Sequence, residues 1–198
     1  MARNTQPVLK RCRTLGVSPA VMGYSRTSNK NPGGQRRTKK SEYATQLTEK
    51  QKVKFVYGIQ EKQFRAYYEK ASKMAGNTGE ELLTMIERRL DNVVYRLGFA
   101  STRREARQLV NHGHFTVNGK RVNIPSYLIK TGDVIAVSEK SASNAFFKKL
   151  KEDDVFAATP KWLDRDKNTL QGTVVAAPAR DDIDFDIAEH LIVELYSK

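Results

Sequence analysis

The sequence predicts an α+β fold, and three observations support this. Between positions 48 and 111, apolar residues recur at helical spacing. The dipeptide Asn118-Gly119 then separates two short alternating runs, as in a β-hairpin with a two-residue turn. Another apolar run, Val134 to Val137, follows the turn residues Thr131-Gly132-Asp133. This order predicts helices packed on a small antiparallel sheet.

The first half of the chain reads as helices with local start and stop signals. Pro7 to Leu15 predicts a short basic helix. Thr48 and Gln51 have capping-box spacing and predict the start of the next helix, which Gly58 ends. Thr78 and Glu81 repeat the capping-box spacing farther along. Between these helices an aromatic cluster lies at helical spacing, which favours a core position over base stacking: Phe64, Tyr67, Tyr68 and Ala71.

A central basic helix is predicted to end at Gly98. Its apolar residues form one buried stripe: Ile86, Leu90, Val93, Val94 and Leu97. A second stripe, Arg89, Asn92 and Arg96, is expected to face water.

The next helix is predicted to begin at Ser101 or Thr102, because Thr102 and Glu105 form a capping box. Three arginines, Arg103, Arg104 and Arg107, crowd its first turns. Cations at a helix N-terminus oppose the macrodipole, whereas a bound phosphate would be favoured there. This arrangement indicates an anion-binding role for the helix, which ends at Gly113.

The residues after Val137 are predicted to form short helices and strands. Ser138 to Ser143 reads as a polar loop, and Phe146, Phe147 and Leu150 indicate a short helix. Trp162-Leu163 and Thr173 to Ala176 read as strands. For the last ten residues a helix capped by Asp186 is favoured. The alternation of Leu191, Val193 and Leu195 keeps a strand as the alternative.

Charge is strongly segregated along the chain. The formal net charge of the 198 residues is +13. Residues 1–60 contain thirteen Lys or Arg and two acidic residues, whereas residues 151–198 contain six and eleven. A basic excess concentrated in this way predicts a polyanionic partner.

The stretch ERRLDNVVYRLGFASTRREARQLVNHGHFTVNGKRVNIPSYLIKTGDVI resembles the S4-type RNA-binding domain. With the start RNTQPVLKRCRTLGV and the end LIVELYSK, nearly the whole chain resembles the bacterial small-subunit ribosomal protein four family. Some members carry a zinc-binding cysteine cluster near the N-terminus. Here Cys12 is the single cysteine, so we expect no metal site, no disulfide and no cofactor.

The resemblance implies a discontinuous first domain to which the C-terminal end returns. We therefore expect a basic extension over residues 1–46 and a mainly helical domain over residues 47–86 and 180–198. Residues 87–179 are expected to form the S4-type RNA-binding domain with its following strands. The basic extension is expected to order against RNA phosphates.

Function is expected to be structural. The resemblance implies a constituent of the small ribosomal subunit that binds 16S rRNA at a helical junction, nucleates assembly and contributes to translational accuracy. The implied partners are 16S rRNA, neighbouring small-subunit proteins near the point where messenger RNA enters, and messenger RNA as a further candidate. The acidic run Asp181 to Asp186 is expected to face away from RNA.

Candidate RNA-binding residues are cations and polar groups of both domains. They are Lys10, Arg11, Arg13, Arg36, Arg37, Lys39, Lys40, Lys50, Lys52, Lys54, Arg89, Arg96, Arg103, Arg104, Arg107, His112, Asn118, Lys120 and Arg121.

Two alternatives belong to other classes of protein. A stand-alone S4-domain regulatory or ribosome-rescue factor would use the same RNA-binding module. An RNA-modifying enzyme is suggested by Arg89-Leu90-Asp91, which resembles the catalytic tripeptide of pseudouridine synthases. A helix-face ion pair near Arg88 is the favoured use of Asp91, and hydrogen bonding to carbonyls or phosphate is favoured over metal binding for His112.

We therefore expect no catalytic residues, no small-molecule substrate and no enzyme activity. The basic N-terminus lacks an apolar segment after it, and no run approaches a membrane span. The expected location is the cytoplasm, on the ribosome.

Overall fold

The structure is a computed structural model that describes residues 7–26, 41–152, 159–166 and 168–197. The described residues divide into two compact units. The first unit contains those up to Leu82 together with those from Ile183 onwards, and the second is Leu83–Asp182. Four predicted RNA-binding residues lie outside the described residues: Arg36, Arg37, Lys39 and Lys40.

The elements are numbered in chain order. The helices are α1 (Val8–Leu15), α2 (Glu42–Tyr57), α3 (Glu61–Ala71), α4 (Thr78–Glu87), α5 (Leu90–Arg96), α6 (Arg103–Asn111), α7 (Glu139–Ala142), α8 (Ala145–Glu152) and α9 (Glu189–Ser197). The strands are β1 (Phe115–Val117), β2 (Lys120–Arg121), β3 (Val134–Val137), β4 (Leu163–Asp166) and β5 (Gln171–Val174). Among these helices, none is long and apolar enough to cross a membrane.

The first unit is helical, and its core lies among α2, α3 and α9. The Tyr196 ring of α9 stacks on Tyr68 of α3 at 4.7 Å between centroids, and Phe64 and Tyr67 are buried. The core position predicted for the aromatic cluster is therefore confirmed. The last segment is a helix rather than a strand, and it begins at Glu189, farther along than a cap at Asp186 would place it.

Two predicted helix starts in this unit are wrong. α2 begins at Glu42 because the Ser41 hydroxyl accepts a hydrogen bond from the Ala44 N–H at 3.2 Å, which makes Ser41 the cap instead of Thr48. At α4 the Asn77 side chain accepts from the Gly79 N–H at 3.0 Å, so Asn77 takes the capping role predicted for Thr78.

The predicted central helix is broken in two at Arg88 and Arg89. Arg89 has extended backbone angles (φ −68°, ψ 138°) and pairs with Leu128 as an antiparallel bridge. Residues 125–129 lie alongside this break and bond its backbone. The Ile129 N–H donates to the Arg88 carbonyl at 2.9 Å, and the Leu90 N–H donates to the Tyr127 carbonyl at 2.9 Å. Tertiary pairing therefore satisfies the N–H groups that a continuous helix would have bonded internally.

The second unit contains an antiparallel sheet in the order β2-β1-β3-β5-β4. The predicted hairpin is confirmed, because Asn118 (φ 49°) and Gly119 (φ 76°) both have the left-handed conformation that a type I′ turn requires. Apolar residues of α5, α6, α8 and the sheet share one core. The α+β expectation is thus confirmed, although Ser138 to Ser143 contains the short helix α7 where a loop was predicted.

Candidate nucleic-acid interface

The base of the candidate interface is a buried carboxylate, Asp91, at the first turn of α5. Arg89 binds it in a bidentate manner, with Nε–Oδ1 at 3.0 Å and Nη2–Oδ2 at 2.7 Å. From α6, Arg107 donates to Oδ2 through Nε at 2.9 Å and Nη2 at 2.6 Å. Asp91 is 4% exposed and Arg89 2%. Both groups are buried, so the loss of either partner would leave an uncompensated charge in a low-dielectric site.

A second buried group links the end of α4 to α5 and α6. Arg96 binds the Glu87 carboxylate with Nη2–Oε1 at 2.8 Å. The Asn92 side chain donates to Glu87 Oε2 at 2.6 Å and accepts from Arg103 Nε at 2.8 Å. The Arg103 guanidinium also lies over the Tyr95 ring, 4.4 Å from its centroid. These contacts fix how α6 packs on α5.

The stripe of Arg89, Asn92 and Arg96 was predicted to face water, and that prediction is wrong. All three residues are buried. Helix α5 is buried on almost every side, and the buried carboxylates of Asp91 and Glu87 compensate Arg89 and Arg96. Asp91 does form an ion pair, but with Arg89 and Arg107 instead of Arg88.

Helix α6 presents one side to α5 and another to solvent. Arg103 and Arg107 are four residues apart and face the buried carboxylate and amide groups of α5. Arg104, Gln108 and His112 repeat the same spacing one position later, and all three are exposed. The helical period of 3.6 residues therefore separates the arginines that organise the fold from the one that faces solvent.

The N-terminus of α6 is capped as predicted. The Thr102 hydroxyl accepts from the Glu105 N–H at 3.2 Å, and Glu105 Oε2 accepts from the Ser101 N–H at 2.7 Å. Three arginines near this terminus are expected to destabilise the helix. The protein offsets this destabilisation, because Arg103 donates a hydrogen bond to Asn92 and Arg107 donates one to Asp91.

The hairpin attaches to the other end of α6 through Arg121. Its Nε donates to the Gly113 carbonyl at 2.9 Å and its Nη2 to the His112 carbonyl at 3.1 Å. Gly113 has φ +71°, and an added Cβ there would lie 2.5 Å from Arg121 Nε. The backbone conformation therefore favours glycine here, and a larger residue would displace the Arg121 guanidinium from its carbonyl acceptors.

We call Arg104, Gln108, His112 and Arg121 the basic face. Lys120 is exposed, but strand alternation places it on the opposite side of β2 from Arg121. Asn118 serves the fold, since its side chain donates to Asp133 at 2.8 Å and accepts from the Val134 N–H at 2.9 Å.

His114 lies beside the basic face without belonging to it. Its Nδ1 is 2.9 Å from the Ser141 hydroxyl, and its ring packs edge-on against Phe147. Burial lowers the pKa of His114 below 6.5, and its neighbours His112 and Arg121 lower it further. His112 itself is exposed and its carbonyl accepts from Arg121.

The predicted cations of the first unit fall into two groups. Lys10 and Arg13 are exposed on α1, and Arg11 is half-buried. Arg13 also borders a polar cavity of about 330 Å³ with Thr45, Thr48 and other residues of α1 and α2.

The lysines of α2 form ion pairs within the first unit. Lys50 and Lys54 bind Glu61 at 2.9 and 2.5 Å, and Lys52 binds Glu49 at 2.6 Å. Burial raises the pKa of Glu61, but hydrogen bonds from Lys54, Tyr196 and Lys50 outweigh it and lower the pKa from 4.5 to about 2. Lys50 and Lys54 thereby link α2 to α3, whereas the Lys52 pair lies within α2.

Other candidate chemistry finds no support in the geometry. The described part of the chain contains no group of three or more His, Cys, Asp or Glu residues placed to hold a metal ion. Cys12 is a buried free thiol. The Asp91 carboxylate is enclosed by donors from Arg89, Arg107 and the Asn92 backbone, so it is not open to a substrate.

Two features of the interface were not predicted from the sequence. Gln108 completes the exposed stripe of α6, and its four-residue spacing from Arg104 and His112 is the signal that would have found it. Asn92 connects Glu87 to Arg103. No local signal identifies Asn92, because its role depends on Glu87 at the end of α4 and on Arg103 of α6.

Comparison with known proteins agrees with this architecture. The family model described as "S4 domain" matches residues 88–135, and the one described as "Ribosomal protein S4/S9 N-terminal domain" matches residues 3–87. Curated relatives named "Small ribosomal subunit protein uS4" align over the full length of both chains. The protein from Fusobacterium nucleatum is 52% identical, that from Lachnospira eligens 54% and that from Caldicellulosiruptor bescii 62%. The chain therefore belongs to the uS4 family of small ribosomal subunit proteins.

Proposed function

We propose that this chain is a structural constituent of the small ribosomal subunit and binds 16S rRNA through the basic face. The observation that carries the proposal is the exposed stripe of α6, which a buried network holds in a fixed orientation. Arg104 heads this stripe and forms no ion pair within the described residues. A rigid helix bearing an exposed arginine at its first turn suits a phosphate group, because both the guanidinium and the helix terminus favour an anion.

The predicted RNA-binding residues divide by role in this proposal. In the second unit Arg104, His112 and Arg121 contact RNA from the basic face, and Lys120 does so from the other side of the hairpin. In the first unit the contacts are Lys10, Arg11 and Arg13. Buried or paired residues act indirectly, by holding those contacts in place: Lys50, Lys52, Lys54, Arg89, Arg96, Arg103, Arg107 and Asn118. Arg36, Arg37, Lys39 and Lys40 remain proposed phosphate contacts of the extension.

The proposed functional domains are a basic extension over residues 1–46, a helical domain over residues 47–86 and 180–198, and an S4-type RNA-binding domain over residues 87–179. Two RNA-binding regions on one chain raise the overall affinity, because binding of the first increases the local concentration of the second. The proposed target is a helical junction of 16S rRNA, recognised mainly through phosphates and shape.

The finer roles are also proposals. They are nucleation of subunit assembly, a contribution to translational accuracy, and contact with neighbouring small-subunit proteins and messenger RNA near the point where it enters. We propose a non-enzymatic role, which the burial of Asp91 supports, because a catalytic aspartate must be open to substrate. The proposed location is the ribosome, in the cytoplasm. The full-length match to relatives named as small-subunit proteins favours this role over a stand-alone RNA-binding factor.

The test is the affinity of the full chain for 16S rRNA, with a fully paired duplex of unrelated sequence as the competitor. Arg104→Ala should weaken binding to 16S rRNA by about 5- to 10-fold at 0.1 M salt, because one phosphate contact is lost. Lys161→Ala is the matched control, since Lys161 is exposed and precedes β4, at the opposite edge of the sheet from β2. Equal affinity for the duplex and the rRNA would reject the proposal.

A further inference from the structure

The turn between β2 and β3 exposes two large apolar side chains. Ile124 is 55% exposed and Tyr127 is 41% exposed. They occupy the two ends of one turn, in which the Tyr127 N–H donates to the Ile124 carbonyl at 3.1 Å. We call this pair the turn patch. Single apolar residues scattered on a surface need no explanation, but two large ones in the same turn indicate a candidate contact surface.

The backbone beneath the turn patch is held in place, because its carbonyls accept hydrogen bonds from the start of α5. The Asp91 N–H donates to the Pro125 carbonyl at 3.1 Å, and the Leu90 N–H donates to the Tyr127 carbonyl at 2.9 Å. Pro125 between the exposed residues is itself buried. The Tyr127 ring makes no aromatic contact and its hydroxyl no hydrogen bond within the described residues. Because the backbone is already ordered, binding through this ring costs no ordering of the turn itself.

Arg88 lies beside the turn patch. Its carbonyl accepts from the Ile129 N–H at 2.9 Å, its Nε donates to the Ile129 carbonyl at 2.8 Å, and the residue is half-buried. An exposed aromatic ring near a cation suits a nucleotide, whose base can stack while its phosphate meets the positive charge.

We propose that the turn patch is a stacking site for one unpaired base of the bound RNA. The base lies on the Tyr127 ring with Ile124 at its edge, and Arg88 binds a flanking phosphate. The site rests on the proposed RNA-binding function and adds a preference for an unpaired nucleotide to a surface that otherwise contacts phosphates. Duplex RNA does not offer such a base, because its bases are stacked on each other.

The test compares Tyr127→Ala and Tyr127→Phe in the full chain, with 16S rRNA as the probe and a range of salt concentrations. Tyr127→Ala should weaken binding by about 5- to 100-fold, the usual effect of losing one base–aromatic contact. The log–log salt slope should not change, because stacking releases no counterions. Tyr127→Phe keeps the ring and should bind within about twofold of the wild type.

Tyr43→Ala is the matched control, since Tyr43 is 60% exposed on α2 in the first unit and should not affect this contact. A second probe pair is a paired RNA hairpin with and without one bulged adenosine. Only the bulged form should lose affinity in Tyr127→Ala. An unchanged unfolding midpoint shows that the variant is folded, because the turn uses the backbone of Tyr127.

Three results would overturn the proposal. Tyr127→Ala could bind 16S rRNA as tightly as the wild type, Tyr127→Phe could lose as much affinity as Tyr127→Ala, or the loss could be equal for paired and bulged hairpins. Unchanged RNA affinity with poor incorporation into small-subunit particles would assign the turn patch to a protein partner instead. Failure of the RNA-binding function itself is distinguishable, because the wild type would then show no preference for 16S rRNA.

Discussion

At the scale of single residues, Asp91 is the group on which the orientation of α6 depends. Its carboxylate binds Arg89 within its own segment and Arg107 across to α6. Such a buried pair contributes little compared with a well-packed apolar core of the same volume, but loss of one partner is costly because the other charge remains in a low-dielectric site. Asp91 therefore couples the stability of the second unit to the geometry of the basic face.

Asp91→Asn should destabilise the second unit by about 3–5 kcal/mol, because it leaves Arg89 buried without a counter-charge. Urea unfolding followed by Trp162 fluorescence measures this directly, since Trp162 is the single tryptophan and lies in the core of the same unit. Asp164→Asn changes an exposed carboxylate of β4 and should stay within about 0.5 kcal/mol of the wild type. Equal effects of the two substitutions would show that the network carries no such role.

Glu61 makes the first unit sensitive to acid. Hydrogen bonds from Lys54, Tyr196 and Lys50 lower its pKa from 4.5 to about 2 in the folded protein. Between these values the unfolded chain binds more protons, so the stabilisation is present above pH 4.5 and is lost as the pH falls towards 2. Glu61→Gln should therefore reduce the pH dependence of the free energy of unfolding in this range.

The measurement is urea unfolding by circular dichroism from pH 2 to 6, with Trp162 fluorescence reporting the second unit separately. Glu69→Gln is the control, because Glu69 makes only an exposed ion pair with Arg65 one helical turn away. It should leave the acid profile of the first unit unchanged. A profile that Glu61→Gln also leaves unchanged would contradict the assignment.

At the scale of elements, features encoded by neighbouring residues could be predicted from the sequence, whereas features that depend on distant contacts could not. The capping box of α6 and the Asn118-Gly119 turn are encoded in adjacent residues, and both occur as predicted. The break at Arg89 depends on pairing with Leu128, far along the chain, so apolar periodicity alone runs straight through it. The same limit applies to the candidate site, because residue type cannot tell which stripe of α6 packs on α5.

The join between α6 and the hairpin gives a test at this scale. Gly113→Ala should destabilise the second unit by about 2 kcal/mol, because it combines a strained positive φ with displacement of the Arg121 guanidinium from its two carbonyl acceptors. Gly132→Ala isolates the strain, since Gly132 has φ +87° and nothing lies within 4 Å of an added Cβ. It should cost only about 1 kcal/mol.

Combining Gly113→Ala with Arg121→Ala removes the guanidinium that would be displaced. The double variant should be more stable than the sum of the two single effects predicts, by about 1 kcal/mol. Strict additivity in this double-mutant cycle would mean that the guanidinium does not contact the end of α6.

At the scale of the whole molecule, charge is divided between structure and binding. The formal net charge is +13, yet many of the cations predicted to bind RNA are neutralised inside the units by Glu49, Glu61, Glu87 and Asp91. The cations left for RNA are exposed on α1, on α6 and on the hairpin. Segregation of this kind explains how a strongly basic chain can fold compactly and still present a positive surface.

The most direct test of this account is the salt dependence of the affinity for 16S rRNA, measured for the wild type, Arg104→Ala and Lys161→Ala. Each phosphate contact contributes about −0.7 to −0.9 to the log–log slope. We predict that the wild type has a steep slope and that Arg104→Ala flattens it by roughly one unit, while Lys161→Ala leaves it unchanged. An unchanged slope in Arg104→Ala, or an equal change in both variants, would contradict binding through the basic face.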